Sequence, residues 1–213
     1  MIAIGESIHV ISHRVRAALE EKDAKTLQGL AVRQVEAGAQ VLDLNIGPQR
    51  REGHEIMPWL VDALQEVVDV PFSLDTTNSA AIQAGLKRCR HPAIINSTDA
   101  TDERMNAMMP LAAEHNAGLI ALALGDEGLP PSAEARLDLV MSRILPAAEQ
   151  YGLPTEKLYL DPLVLTVNGM QDQALQTVTA VHYFKELSDP PPTTTAGISN
   201  ISNGVPAQGR PLI

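Results

Sequence analysis

Seven short aliphatic runs, each stopping on or beside small polar residues, alternate with six stretches of helical periodicity, and this alternation constrains the fold more than any other feature. The runs are IAIGE (2–6), VLDLNIG (41–47), PFSLDTT (71–77), AIINSTD (93–99), LIALALG (119–125), LYLDPLV (158–164) and TTAGISN (194–200). Between them, helical patterns cover 25–37, 55–68, 79–89, 102–115, 133–151 and 172–187, with Gly38 and Gly152 as stops and Ser79 read as the N-cap of the third. Strict strand and helix alternation implies parallel neighbours joined by right-handed crossovers. Seven or eight such units predict an α/β fold of the (β/α)8 TIM barrel type. An open doubly wound sheet is the runner-up, but GESIHVIS (5–12) after the first run holds no glycine-rich phosphate loop.

Only residues 201–213 follow the seventh run, too few for another crossover helix and strand. The expectation is therefore a single domain over 1–213, truncated after strand 7, with a genuinely shorter fold as the alternative. A seam of that kind leaves two strand edges unpaired and invites association.

An apolar content of 45% with only 3% aromatic residues predicts an aliphatic core, which suits a sheet buried on both faces. The formal charge of -10, from 26 acidic against 16 basic side chains, argues against nucleic acid and anionic membranes as partners. Cys89 is the sole cysteine, so neither a disulfide framework nor a thiolate cluster is expected, and a reducing cytoplasm is the simplest location. No run approaches the ~18 apolar residues of a membrane span.

Parallel strands collect their C-terminal ends on one face. That face would carry Glu6, Asp43 with Asn45, Asp75, Asn96, Asp161, and Ser199 with Asn200. Asp and Asn hold hydrogen-bonding groups close to the backbone, and such a rim suits a flat heterocycle with several ring donors and acceptors. The histidines at 9, 13, 54, 91, 115 and 182 show no ligand spacing, and no bound metal is expected. Neither a Gly-x-Ser-x-Gly elbow nor a P-loop is present.

The motifs GESIH (5–9), LDLNIG (42–47), SLDTTNSAAIQAGL (73–86), IINST (94–98), LYLDPL (158–163), GISNIS (197–202) and RPLI (210–213), in that order, resemble methyltetrahydrofolate:corrinoid/iron-sulfur protein methyltransferase. They are also similar to its relatives, the folate domain of cobalamin-dependent methionine synthase and the pterin-binding barrels generally. The resemblance implies a pterin-binding barrel, usually a homodimer, that exchanges a methyl group between N5 of methyltetrahydrofolate and the cobalt of a corrinoid carried by a partner protein. It implies that Asp75, Asn96 and Asp161 grip the pterin ring, that Asn200 is the catalytic group near N5, and that Ser199, Asn203 and Arg210 help hold the folate. Glu6, Asp43 and Asn45 are expected behind them.

This division of labour fits the residues. N5 is a poor leaving group unless a proton or strong hydrogen bond relieves its developing charge. A cobalt(I) nucleophile needs no protein base to activate it, and the chain shows no activated serine or Cys/His pair. Dihydropteroate synthase is the enzymatic alternative, although GISNIS stands where its basic motif for the departing pyrophosphate would be. A non-catalytic folate-binding or assembly subunit is the alternative from another class.

Overall fold

The structure is a computed structural model, and it describes residues 1–206 and 208–209. The chain forms two compact units, Met1–Ser97 with Pro110–Leu119, and Thr98–Met109 with Ile120–Ile213. Its strands are β1 (Ile4–His9), β2 (Val41–Asn45), β3 (Phe72–Asp75), β4 (Ile94–Thr98), β5 (Gly118–Leu122), β6 (Leu158–Asp161) and β7 (Thr193–Thr194). Helices α1 (His13–Glu20), α2 (Ala24–Glu36), α3 (Gly53–Gln65), α4 (Ser79–Leu86), α5 (Asp102–Glu114), α6 (Ala133–Leu139), α7 (Leu145–Gln150) and α8 (Asp172–Phe184) lie between them. The predicted alternation is thus observed in all seven runs.

In the first unit, β1 pairs with β2, β2 with β3 and β3 with β4, all parallel. Register follows the two-residue period: Leu42 and Leu44 turn to one face of β2, Asp43 and Asn45 to the other. Leu42, Leu44, Phe72, Leu74 and Ile95 are all nearly inaccessible, and no face of these strands alternates with solvent as in an open antiparallel sheet. Helix α3 buries Ile56, Met57, Leu60, Val61 and Leu64 at helical spacing. Its contact with α4 is close because Gly85 has no side chain: a Cβ there would come 2.6 Å from Met57 Cγ and 3.0 Å from Leu74 Cδ1.

Four local details differ from the sequence reading. Strand β1 runs on to His9 with a register irregularity between Gly5 and Ile8, so Glu6 lies within the strand, exposed, instead of closing it. Helix α1 was not expected; it is short and buries Val15, Ala18 and Leu19. The cap of α4 is Asn78, whose Oδ1 accepts from the amides of Ala80 (3.0 Å) and Ala81 (3.2 Å), while Ser79 is already helical. Cys89 falls beyond α4, and burial pushes its thiol up to about 12.

In the second unit, the helix expected over 133–151 is interrupted. Val140–Ile144 is a π turn, and α7 resumes with Pro146 in its first turn. Pro146 has no N–H to give to the residue four before it, which a widened turn accommodates. Strand β7 is also shorter than predicted: only Thr193 and Thr194 pair with Tyr159 and Leu160, and Ile198–Ser202 is a 3-10 helix. Ser199 and Asn200 therefore sit on a helical turn, not at a strand end.

Candidate functional site

In the first unit, β2, β3 and β4 bring four predicted residues into two neighbouring hydrogen-bonded groups, Asp43 with Ser73 and Asn96, and Asn45 with Asp75. Cα register sets Asn45 beside Asp75, Asp75 beside Asn96, and Asp43 beside Ser73. Asp43 Oδ1 accepts from Ser73 Oγ (2.7 Å) and from Asn96 Nδ2 (3.0 Å). Asn45 Nδ2 donates to Asp75 Oδ2 at 2.5 Å, and its Oδ1 accepts from the Gly47 amide at 3.1 Å. Asn45 therefore uses both ends of its amide inside the protein. Asn96 commits one N–H to Asp43, which orients the amide and leaves its Oδ1 and second N–H for other partners.

The loops beyond these strands are tied together. Thr76 Oγ1 donates to the Gly47 carbonyl (2.6 Å), and Asn78 Nδ2 donates to the Gln49 carbonyl (2.8 Å). Gly47 has φ +68°, a left-handed conformation that suits glycine just where β2 must turn away. The cap of α4 and the anchor of the preceding loop are thus one side chain.

Electrostatics separate the two carboxyls. Asp43 is 3% exposed, and burial raises its pKa to about 7, with the neighbouring charge of Asp75 adding to the rise and the Ser73 and Asn96 hydrogen bonds opposing it. Asp75 is also raised by burial, but Asn45's hydrogen bond and the nearby His9 hold it down. Glu6 pushes both upward. Both carboxyls are pushed upward by burial, and Asp43 reaches about 7, while Asn45's hydrogen bond favours the charged form of Asp75. His9, paired in register with Asn45, was not singled out by sequence; the strand's continuation to residue 9 is what brings it here.

In the second unit, Asp161 closes β6, and its Oδ1 accepts from the Leu163 amide at 2.8 Å. Asn203 Nδ2 stands 3.4 Å from Asn200 Oδ1, and the Asn203 carbonyl accepts from Thr166 Oγ1 in the loop after β6. Ser199, Asn200 and Asn203 are exposed. Arg210 lies outside the described residues. Among the described residues no group of three or more His, Cys, Asp or Glu side chains is placed to hold a metal ion, and no helix is long and apolar enough to cross a membrane.

Residues 12–209 match the family described as pterin binding enzyme. The chain belongs to that family. Among its relatives is methylcorrinoid:tetrahydrofolate methyltransferase of Eubacterium limosum, 28% identical over 210 residues that make up 98% of this chain and 77% of the relative. The methionine synthase of Mycobacterium tuberculosis is 28% identical over 223 residues, covering all of this chain and 19% of that much longer protein. Among solved structures, the DHPS of Yersinia pestis with a pterine-sulfa conjugate superposes with a TM-score of 0.68 at 20% identity, over 99% of this chain and 79% of that one. The dihydropteroate synthase of Xanthomonas albilineans with 4-aminobenzoic acid gives 0.66 at 18% identity, over 93% and 71%. The fold of this family member is the TIM barrel of the pterin-binding type, with seven strands among the described residues.

Proposed function

We propose that this pterin-binding chain is a methyltransferase moving a methyl group between N5 of methyltetrahydrofolate and the cobalt of a corrinoid held by a separate protein. The observation that carries the reading is the match across 98% of the chain to a methylcorrinoid:tetrahydrofolate methyltransferase. The strand-end chemistry agrees with it. In this reading Asp75, Asn96 and Asp161 supply two carboxyl groups and an amide to the donors and acceptors of a pterin ring, and the Asn45 hydrogen bond favours the charged form of Asp75 against burial.

In the forward direction, cobalt(I) attacks the methyl carbon, the bond from carbon to N5 breaks, and its electron pair returns to N5, which must bear a proton to leave as a neutral amine. Asn200 is neutral and both gives and accepts hydrogen bonds, so it orients that proton without being an acid. Ser199, Asn203 and Arg210 complete the folate contacts in this reading. Glu6, Asp43 and Asn45 act from behind. The chain works as a cytoplasmic homodimer that meets its corrinoid partner at an open rim.

The rival reading, a dihydropteroate-synthase-like enzyme, shares the fold, but it requires a cationic site for pyrophosphate that GISNIS does not offer. A folate-binding subunit without turnover is separated by experiment. Purified protein is mixed with methyltetrahydrofolate and cob(I)alamin, and loss of the cobalt(I) absorbance is followed. Methylcobalamin formation above the uncatalysed rate is expected. Folate binding with no turnover, by free cob(I)alamin or by a corrinoid protein, would leave only the binding subunit.

A further inference from the structure

Arg136 on α6 is fully buried, yet among the described residues it forms no ion pair. Its guanidinium is held by neutral acceptors: Nε donates to the Pro130 carbonyl (3.2 Å), one terminal nitrogen to Thr177 Oγ1 (3.2 Å) and the other to Gln173 Oε1 (2.5 Å). Burial alone pulls its pKa below the ordinary guanidinium range. Apolar packing of similar volume usually stabilises a fold as well as a buried charge does, so a cation kept here calls for a reason in what it touches.

What it touches leads to Asp161. With its lone pair engaged by Arg136, the Thr177 hydroxyl has one proton to give, and it lies 3.0 Å from the Leu163 carbonyl, with the Gln173 carbonyl of its own helix, also at 3.0 Å, as the competing acceptor. Leu163 has φ +66°, a region that a branched residue adopts only when its surroundings hold it there. In that turn the Leu163 amide points back at Asp161 Oδ1, 2.8 Å away. The same guanidinium, together with Gln173 Nε2 on the Pro131 carbonyl (3.2 Å), fixes the segment leading into α6 against the start of α8.

We propose that Arg136 and Thr177 are positioning residues for Asp161: through the Leu163 carbonyl they hold the left-handed turn whose amide sets the Asp161 carboxylate. The consequence for catalysis rests on the reading of Asp161 as a ligand of the pterin ring. Neither residue stands at a strand end, which is why a search of strand ends passes over them.

The test compares Thr177→Val, which removes the hydroxyl, with Thr177→Ser, which keeps it. Hydrogen exchange of the Leu163 amide reads the turn itself, and the KM for methyltetrahydrofolate reads its use. In the valine variant, Leu163 exchange should speed up about 10-fold and the folate KM rise about 10-fold with a smaller change in kcat, while the serine variant matches the wild type. Unchanged Leu163 exchange in Thr177→Val, or the same loss in both variants, overturns the proposal. Faster exchange with an unchanged folate KM upholds the positioning and removes Asp161 from the folate site instead. If the valine variant does not fold, Arg136→Lys, which keeps a charge but not the planar fork, must give the same split.

Discussion

Asn45 Nδ2 stands 2.5 Å from Asp75 Oδ2 across adjacent parallel strands, while the other end of the same amide is fixed by the Gly47 amide at the turn that ends β2. The carboxylate is thereby held by a donor that cannot rotate away. Replacing Asn45 with Leu removes that donor and lets burial push the Asp75 pKa further up. Folate binding should weaken about 10-fold or more, the size of a hydrogen bond to a charged group, and the loss should deepen as pH falls because protonation leaves the carboxyl one neutral acceptor oxygen in place of two charged ones. Binding titrations across a pH series check this; a pH profile identical to the wild type would show that Asn45 does not tune Asp75.

Asp43 makes stability depend on pH. Its folded pKa of about 7 lies above the ordinary carboxyl value, so the folded state binds more protons than the unfolded state between about pH 4 and pH 7. Stability should therefore fall as pH rises through that window and level off above it. Three units correspond to about 4 kcal/mol at most. Asp43→Asn keeps an acceptor for Ser73 and Asn96 and mimics the protonated form, so it should flatten the slope and raise stability above pH 7. Urea denaturation at pH 5 and pH 8 measures both effects, and an unchanged slope in the variant would count against the assignment.

Asn200→Ala should lower the methyl-transfer rate by about 10²- to 10³-fold, the cost of losing one preorganised polar group at a charge that develops in the transition state. Folate affinity should hardly change, since the contact strengthens only as the bond breaks. Single-turnover kinetics with cob(I)alamin separate the two quantities. A variant that binds folate poorly and turns over normally when saturated would reverse the role.

Asn78 joins a helix cap to a loop anchor. Asn78→Ala should cost about 1–2 kcal/mol through the lost cap. Because its Nδ2 also holds the Gln49 carbonyl, proteolysis in the loop around residue 49 should become faster. Asn78→Asp keeps the cap and loses the donor, so it should retain stability while sharing the loop sensitivity.

Gly85→Ala places a methyl group 2.6 Å from Met57 Cγ, and the expected cost is about 1–3 kcal/mol of overpacking. Combining it with Met57→Ala should recover part of that loss, since the clash is with a flexible side chain. Additive penalties in thermal denaturation would mean that the Leu74 contact dominates.

Much of this was legible in the linear pattern. Six of the seven aliphatic runs form strands as read, because a parallel strand buried on both faces reads as an apolar run that stops where it meets the surface, and the seventh contributes only Thr194 to the two-residue β7. Asp75 and Asp161 close their strands, while Asn96 lies in the middle of β4. Local details were less visible. Asn78 and Ser79 are both able to cap, and which one does so depends on where α4 packs against α3. The π turn needs the position of Pro146 relative to the carbonyls before it, and the brevity of β7 reflects a 3-10 turn that competes with pairing for the same residues.

The sequence by itself determined the order of the elements, the aliphatic core and the polar residues that strand ends can offer, since these follow from periodicity and from what each side chain can bury. Only the tertiary structure decided which amide holds which carboxylate, that burial lifts Asp43 to about 7, and that a buried arginine reaches the turn behind Asp161. Those outcomes depend on register and distance between residues tens of positions apart, and a local pattern carries no information about either.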